Sequence, residues 1–81
     1  MNSTRRLAIL AQSGTAQGVT VGYRGLTHHE AATSMHGMLE RRGGVMPQAN
    51  GMTRLVIRYH LTDQGRRYLE VMQPIAGVRV T

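Results

Sequence analysis

Three histidines, His28, His29 and His36, stand close together beside the carboxylate of Glu30. Imidazoles in such a cluster can ligate a metal, relay a proton, or contact a phosphate or a base edge. A metal site is not expected, because neither Cys nor a further carboxylate completes a tetrahedral set at zinc spacing. Acid–base catalysis is not expected either, since no nucleophile is paired with a histidine and Glu30 has a structural role in capping a helix. No cofactor is therefore called for. What remains is recognition of an anion. Ten basic residues face four acidic ones, for a net charge of +6 and a sequence pI near 11.4, a balance that favours a polyanionic partner. Every basic residue is Arg, whose planar fork matches phosphate and guanine edges. A GC-rich genome would also replace Lys by Arg, so the charge rather than the residue type carries the inference.

The elements that position these groups must be small. Eighty-one residues suit one domain spanning 1–81, with a core that is compact or shared with a partner. Phe, Trp and Cys are absent, so Leu, Val, Ile, Tyr and six Met must fill the interior, and neither disulfides nor thiolate metal sites can form. No run approaches the roughly 20 apolar residues of a membrane span, and the start of the chain lacks a secretory apolar segment. A soluble, cytoplasmic protein without a membrane partner is expected.

Ser3 or Thr4 can cap a first helix through about Ser13, with Leu7, Leu10 and Ala11 as its apolar stripe and Gly14 ending it. Gly18 to Gly25 can form a short strand, an abbreviated helix or an irregular turn. Thr27 and Glu30 have capping-box spacing, which predicts a helix over about 28–42 closed by Gly43-Gly44. On it, Ala31, Ala32, Met35, Met38 and Leu39 face the core, and His29, Thr33, His36, Gly37 and Glu40 face out. Val45 and Met46 begin a short strand, Pro47 to Gly51 supply a turn with a strong Asn50-Gly51 hairpin signal, and a second strand follows. There Leu55, Ile57, Tyr59 and Leu61 alternate with Arg54, Val56, Arg58 and His60, one face core and the other largely cationic. Thr62 can cap a last helix from about Asp63 to Gln73, with Pro74 behind it. Residues 75–81 are read as a C-terminal tail or strand.

Two stretches carry a resemblance. Tyr59-His-Leu-Thr-Asp-Gln-Gly-Arg66 resembles the strand-to-helix junction that ends the wing of winged helix-turn-helix proteins, MarR-like proteins among them. Met38-Leu-Glu-Arg-Arg-Gly-Gly-Val45 is similar to the end of their recognition helix. The resemblance covers roughly Thr4 to Met72 and implies an α+β fold of three helices with a two- or three-stranded β-hairpin wing. It implies a DNA-binding transcriptional regulator of bacterial or bacteriophage origin, with the helix at about 28–42 in the major groove and the wing at about 45–61 on the backbone. Carried over by position, His29, Thr33, Ser34, His36 and Gly37 face the groove, and Thr27 with the helix N-terminus lies near a phosphate. Asn50 and Arg54 sit at the wing tip, Arg58 clamps a phosphate, and Arg24 and Arg41 are secondary contacts. Double-stranded DNA is then the partner, and the family's habit allows a homodimer. The helix that precedes the recognition helix in this family has only Val19 to Gly25 available here. That shortening, Glu40 on the exposed face and the apolar tail motivate an alternative, a protein-interaction module or inhibitor that turns the basic surface on an acidic protein.

Overall fold

The computed structural model describes residues 1–76. Along the chain run α1 (Ser3–Ser13), β1 (Val19–Thr20), a 3-10 turn (Tyr23–Gly25), α2 (His28–Ala32), β2 (Leu39–Pro47), β3 (Thr53–Leu61) and α3 (Asp63–Ala76). Among the described residues this is a small α+β arrangement, three α-helices with an antiparallel sheet ordered β1-β3-β2.

α1 starts one or two residues earlier than the expected Ser3 or Thr4 cap would place it. Asn2 rather than Ser3 or Thr4 is its cap, because the extended backbone of Asn2 brings its side-chain oxygen 2.8 Å from the Arg5 amide. Leu7, Ala8, Ile9 and Leu10 are all buried, a wider band than the Leu7-Leu10-Ala11 stripe, since the helix packs against α3 as well as against the sheet. Ile9 and Leu10 join Val19, Leu26, Ala31, Met35 and Tyr59 in the core, where each fully buried aliphatic side chain contributes about 1.5–3 kcal/mol. Met35 is fully buried, its unbranched thioether filling space that a Phe would otherwise occupy.

The largest departure follows α2. The helix opens on the expected capping box, with Thr27 accepting from the Glu30 amide and Glu30 accepting from the Thr27 amide, but it ends at Ala32 rather than near Arg42. Thr33, at φ −114° and ψ −74°, turns its hydroxyl back to the His29 carbonyl at 2.7 Å, a local bond that competes with helix continuation. A left-handed Gly37, φ +78°, then redirects the chain. Leu39 to Pro47, expected as helix end, glycine stop and short strand, form one strand paired with Pro47's partner Thr53 through to Leu61. Nine cross-strand pairs outweigh the helix propensity of Leu39-Glu-Arg-Arg42, and Gly43 and Gly44 lie mid-strand opposite Ile57 and Val56. The hairpin therefore spans 39–61 instead of 45–61. Its turn uses Gln48 to Met52, closed by Gln48 N–H to Met52 O at 2.7 Å, with Gly51 at φ +81°.

The alternation of β3 has the expected sense. Tyr59 is buried and Ile57 and Leu61 half-buried, but Leu55 is 67% exposed because the hairpin outruns the core at that level. Ala32, expected inside, is exposed for a similar reason: α2 ends before a second turn could cover it. At the base of the hairpin Thr62 ties three elements together. Its hydroxyl donates to Gly37 O at 2.6 Å and accepts from Gly65 N–H at 3.1 Å, while its amide donates to Met38 O at 3.0 Å. α3 continues past Gln73, taking Pro74 into its final turn and ending at Ala76. Of the expected tail or strand at 75–81, the first two residues thus belong to the helix, and 77–81 lie outside the described residues. Among those described, no helix is long and apolar enough to cross a membrane.

Candidate nucleic-acid interface

The hairpin has two faces. One carries Leu39, Arg41, Val45, Leu55, Ile57, Tyr59 and Leu61; the other carries Glu40, Arg42, Met46, Arg54, Val56, Arg58 and His60, as the pairing register and the period of two require. α2 approaches the first face and encloses an open groove of about 810 Å³ with it. His28, His29, His36, Gly37 and Arg41 line that groove together with the Tyr59 ring, and no carboxylate is among its lining groups.

α2 is held in place from outside the groove. Arg5 grips Glu30 with both terminal nitrogens, at 2.7 and 2.8 Å, and its Nε donates to the Arg24 carbonyl at 2.6 Å. The Arg5 hydrogen bonds are the main reason the Glu30 carboxyl is lowered from an ordinary 4.5 to about 2, with the Thr27 amide assisting. Arg24 occupies the left-handed region at φ +47°, a conformation that side chains seldom adopt, and its turn is held by the Arg5 contact together with the backbone bonds Gly22 N–H to Leu26 O and Leu26 N–H to Tyr23 O. On the groove side, His28 Nδ1 lies 2.7 Å from the Tyr59 hydroxyl, with the rings 5.8 Å apart and tilted by 57°.

The residues carried over from the resemblance divide between several settings. His29 is exposed on α2, while Ser34, His36 and Gly37 lie in the turn after it; the expected helical face of His29, Thr33, Ser34, His36 and Gly37 does not exist, because the helix stops at Ala32. Of these, His29, His36 and Gly37 do converge on the groove, joined there by Arg41. Thr27 is committed to the cap, and a helix of five residues offers no dipole of consequence for a phosphate. Thr33 is turned to its own backbone, and the Asn50 side chain accepts from Met52 N–H at 3.1 Å, which makes it a turn-forming group. Arg24 sits on the 3-10 turn, its guanidinium 5.9 Å from the Tyr23 ring centre.

Arg54 and Arg58 lie on the opposite sheet face. Arg58 stands directly across from Arg42, and Arg54 across from Met46. Arg41 and Arg42, expected side by side at a helix C-terminus, instead point to opposite faces of the strand. Glu40, expected to share the outer helix face with His29, pairs with Arg42 at 2.8 Å. Arg58 donates to Gln17 O at 3.2 Å. Among the described residues Arg41 and Arg54 make no side-chain hydrogen bond or ion pair. Sequence reasoning missed Arg42, and it singled out His28 without its contact to Tyr59. Alternation along β2 would have placed Arg42 beside Arg58, had residues 39–42 been read as strand; nothing local links His28 to Tyr59.

The arrangement is a projecting cationic ribbon next to a histidine-lined groove. Among the described residues no three His, Asp or Glu side chains are grouped to hold a metal ion. Compared with known proteins, the chain matches no family model, no curated protein and no solved structure at a significant level.

Proposed function

We propose that this chain is a small winged-helix DNA-binding protein, acting as a regulator by occupying duplex DNA, and that the β2–β3 hairpin rather than α2 makes its main contact. The observation that carries the reading is the pairing of Arg42 with Arg58 directly across the ribbon, with Arg54 exposed farther along the same face and Glu40 the only carboxylate on the hairpin. Like charges set opposite each other destabilise a strand pair, and a phosphate between or beside them reverses the sign. A two-stranded ribbon also has the dimensions to enter a major groove. α2, at five residues, is about 7.5 Å long, too short to lie along a groove as a reading helix. It serves instead to present His29, with His36 and Arg41 nearby, to a backbone or base edge.

The test is binding of labelled random-sequence duplex at about 50 mM salt and micromolar protein, where even non-specific contacts register. Binding that weakens steeply with salt supports the reading, and absence of binding under those conditions removes it. Selection from a random duplex pool then reports sequence preference, and a palindromic consensus would reveal a two-fold dimer. A second reading, an interaction module for an acidic protein, is favoured by the exposed Val45 and Leu55 beside the arginines. Capture of an acidic partner that survives nuclease treatment would select it over DNA.

A further inference from the structure

The phase of the hairpin ladder leaves part of β3 unpaired. Thr62 N–H to Met38 O at 3.0 Å and Gln48 N–H to Met52 O at 2.7 Å close its two ends. With the observed register, even-numbered residues therefore exchange bonds across the hairpin, and odd-numbered residues turn their N–H and C=O groups outward. From Thr53 to Tyr59 the outward groups on β3 belong to Thr53, Leu55, Ile57 and Tyr59. β1 meets Tyr59 through Val19 and then ends, because Gly22 at φ +99° takes the chain into the 3-10 turn. Among the described residues no hydrogen bond reaches the outward groups of Thr53, Leu55 or Ile57. An open cavity of about 420 Å³ lies along this stretch, lined by every residue from Arg54 to Arg58, with Thr20 and Val21 at the end of β1. Consecutive strand residues point to opposite faces, so a cavity that touches all five runs along the strand's edge. Leu55 and Ile57 look to one face of it and Arg54 and Arg58 to the other, where Met46 beside Arg54 extends the wall.

We propose that this edge takes an extended segment of a partner protein, one that alternates apolar and acidic side chains, as an added strand antiparallel to β3 on the line that β1 leaves. The inference stands apart from the DNA-binding reading. Alternating N–H and C=O groups are matched by another backbone, whereas a phosphate would bond the amides and be repelled by the carbonyls between them. In antiparallel pairing the segment's apolar residues lie opposite Ile57 and Leu55, covering a Leu55 side chain that is 67% exposed. Its intervening residues fall opposite Val56 and Arg54. The first has Arg54 and Arg58 as diagonal neighbours about 7–8 Å away, within reach of a glutamate, and the second faces Arg54 directly. No carboxylate lines the cavity, and the Arg58 guanidinium makes one bond, to Gln17 O at 3.2 Å. The outer edge of β2 turns the same groups outward at Arg41, Gly43 and Val45, but Gly43 and Gly44 give an added strand there no side chains to pack on. A second copy of the chain fits less well, since each brings a net charge of +6.

The probe is an end-capped synthetic peptide, Val-Glu-Val-Glu-Thr, titrated into the isotope-labelled full chain while the backbone amides are followed by NMR. Saturable shifts at the Thr53, Leu55 and Ile57 amides are expected, with a Kd below about 1 mM. The peptide Val-Lys-Val-Lys-Thr should bind at least about tenfold more weakly. Leu55→Pro removes an outward N–H and spares the bonds to β2, which use even-numbered residues, so it should abolish the shifts at Thr53 and Ile57. Val45→Pro, its counterpart on the β2 edge, should leave them unchanged. Arg54→Glu, at an exposed position, should weaken the glutamate peptide by about tenfold and strengthen the lysine peptide. No shift at Thr53, Leu55 and Ile57 at about 1 mM peptide, or shifts confined to Arg41, Gly43 and Val45, overturns the proposal. Equal binding of the two peptides overturns the acidic partner. Shifts at the same three amides on raising the protein concentration alone would make a second copy the occupant and overturn the peptide. DNA binding is tested separately by the duplex titration, so failure of either reading leaves the other standing.

Discussion

Gly65→Ala tests the junction on which the hairpin's orientation depends. Gly65 is buried in the first turn of α3, and a β-carbon there would fall on the Met38 carbonyl oxygen, 2.7 Å from Leu61 Cδ1 and 3.1 Å from the Met38 carbonyl carbon. The Leu61 methyl can swing aside. The Met38 carbonyl cannot, because it accepts the Thr62 amide at 3.0 Å and immediately precedes β2. Relieving the contact means moving α3 away from the strand, an overpacking cost of about 1–3 kcal/mol, with the Thr62 bond, about 0.5–1.5 kcal/mol, weakened as it goes. Alanine returns up to about 1 kcal/mol of helix propensity. The net is a loss of about 1–3 kcal/mol, or roughly 5–20 °C in Tm for a chain of this size. Thermal and urea unfolding followed by circular dichroism measure it, with Gly44→Ala as control, since a β-carbon there meets nothing nearer than Val56 O at 3.9 Å. A Gly65→Ala protein as stable as the parent would show that α3 does not press on the start of β2, and the stated geometry of the junction would be wrong.

The Arg5–Glu30 pair predicts a defined acid response. Glu30 is held at about 2 against an ordinary 4.5, so its contribution is fully present above 4.5 and disappears as pH falls through the interval down to about 2; Tm plotted against pH should drop more across that window in the native chain than in Glu30→Gln. Tyr59→Phe removes the hydroxyl 2.7 Å from His28 and should cost about 1 kcal/mol in urea unfolding; an unchanged His28 side-chain resonance in the variant would deny the contact. Arg58→Thr relieves the Arg42 repulsion, about 0.2–1 kcal/mol, and forfeits the bond to Gln17 O, so stability should stay within about 1 kcal/mol. In a DNA titration the same variant should reduce the slope of log K against log salt by about 0.9, and an unaltered slope would remove Arg58 from the phosphate contacts.

Features written in short stretches of sequence were legible. The Thr27–Glu30 box, the Thr62 cap, the hairpin and the two-residue alternation of β3 each depend on neighbours in the chain. The end of α2 does not. Leu39-Glu-Arg-Arg42 consists of good helix formers, and only the pairing of Leu39 with Leu61 and its successors makes a strand of it, a long-range effect that overrides propensity. The same error misplaced the site. His29, His36 and Gly37 do meet at one groove with Arg41, but they are gathered by a turn and a strand instead of a helical face. The grip of Arg5 on Glu30 and the meeting of His28 with Tyr59 join distant segments, and no spacing announces such contacts. Gly65 shows the converse case: the glycine of Leu61-Thr-Asp-Gln-Gly65 is part of a recognisable motif, and the close approach of the Met38 carbonyl is its physical reason.

Among the described residues, several departures from folding logic lie in the hairpin, beside others at Arg24, Val21 and Val71. α1, the α2 cap and the Thr62 junction obey local rules, with apolar groups inside and helix termini satisfied. The hairpin beyond Ile57 breaks them repeatedly: Gly43 and Gly44 in a strand, Val45, Met52 and Leu55 exposed, and just below, two arginines opposed without a carboxylate on Arg58. Each feature weakens the free hairpin, and each would become favourable against a partner that is both anionic and able to enclose apolar groups. Natural sequences tolerate such local conflicts mainly where function requires them. A scaffold hairpin could have met its folding requirements with threonine at these positions. The arginines alone would fit any polyanion, and the exposed apolar groups alone any greasy cleft; the proposed contact with DNA would use both, and the duplex titration is what tests it.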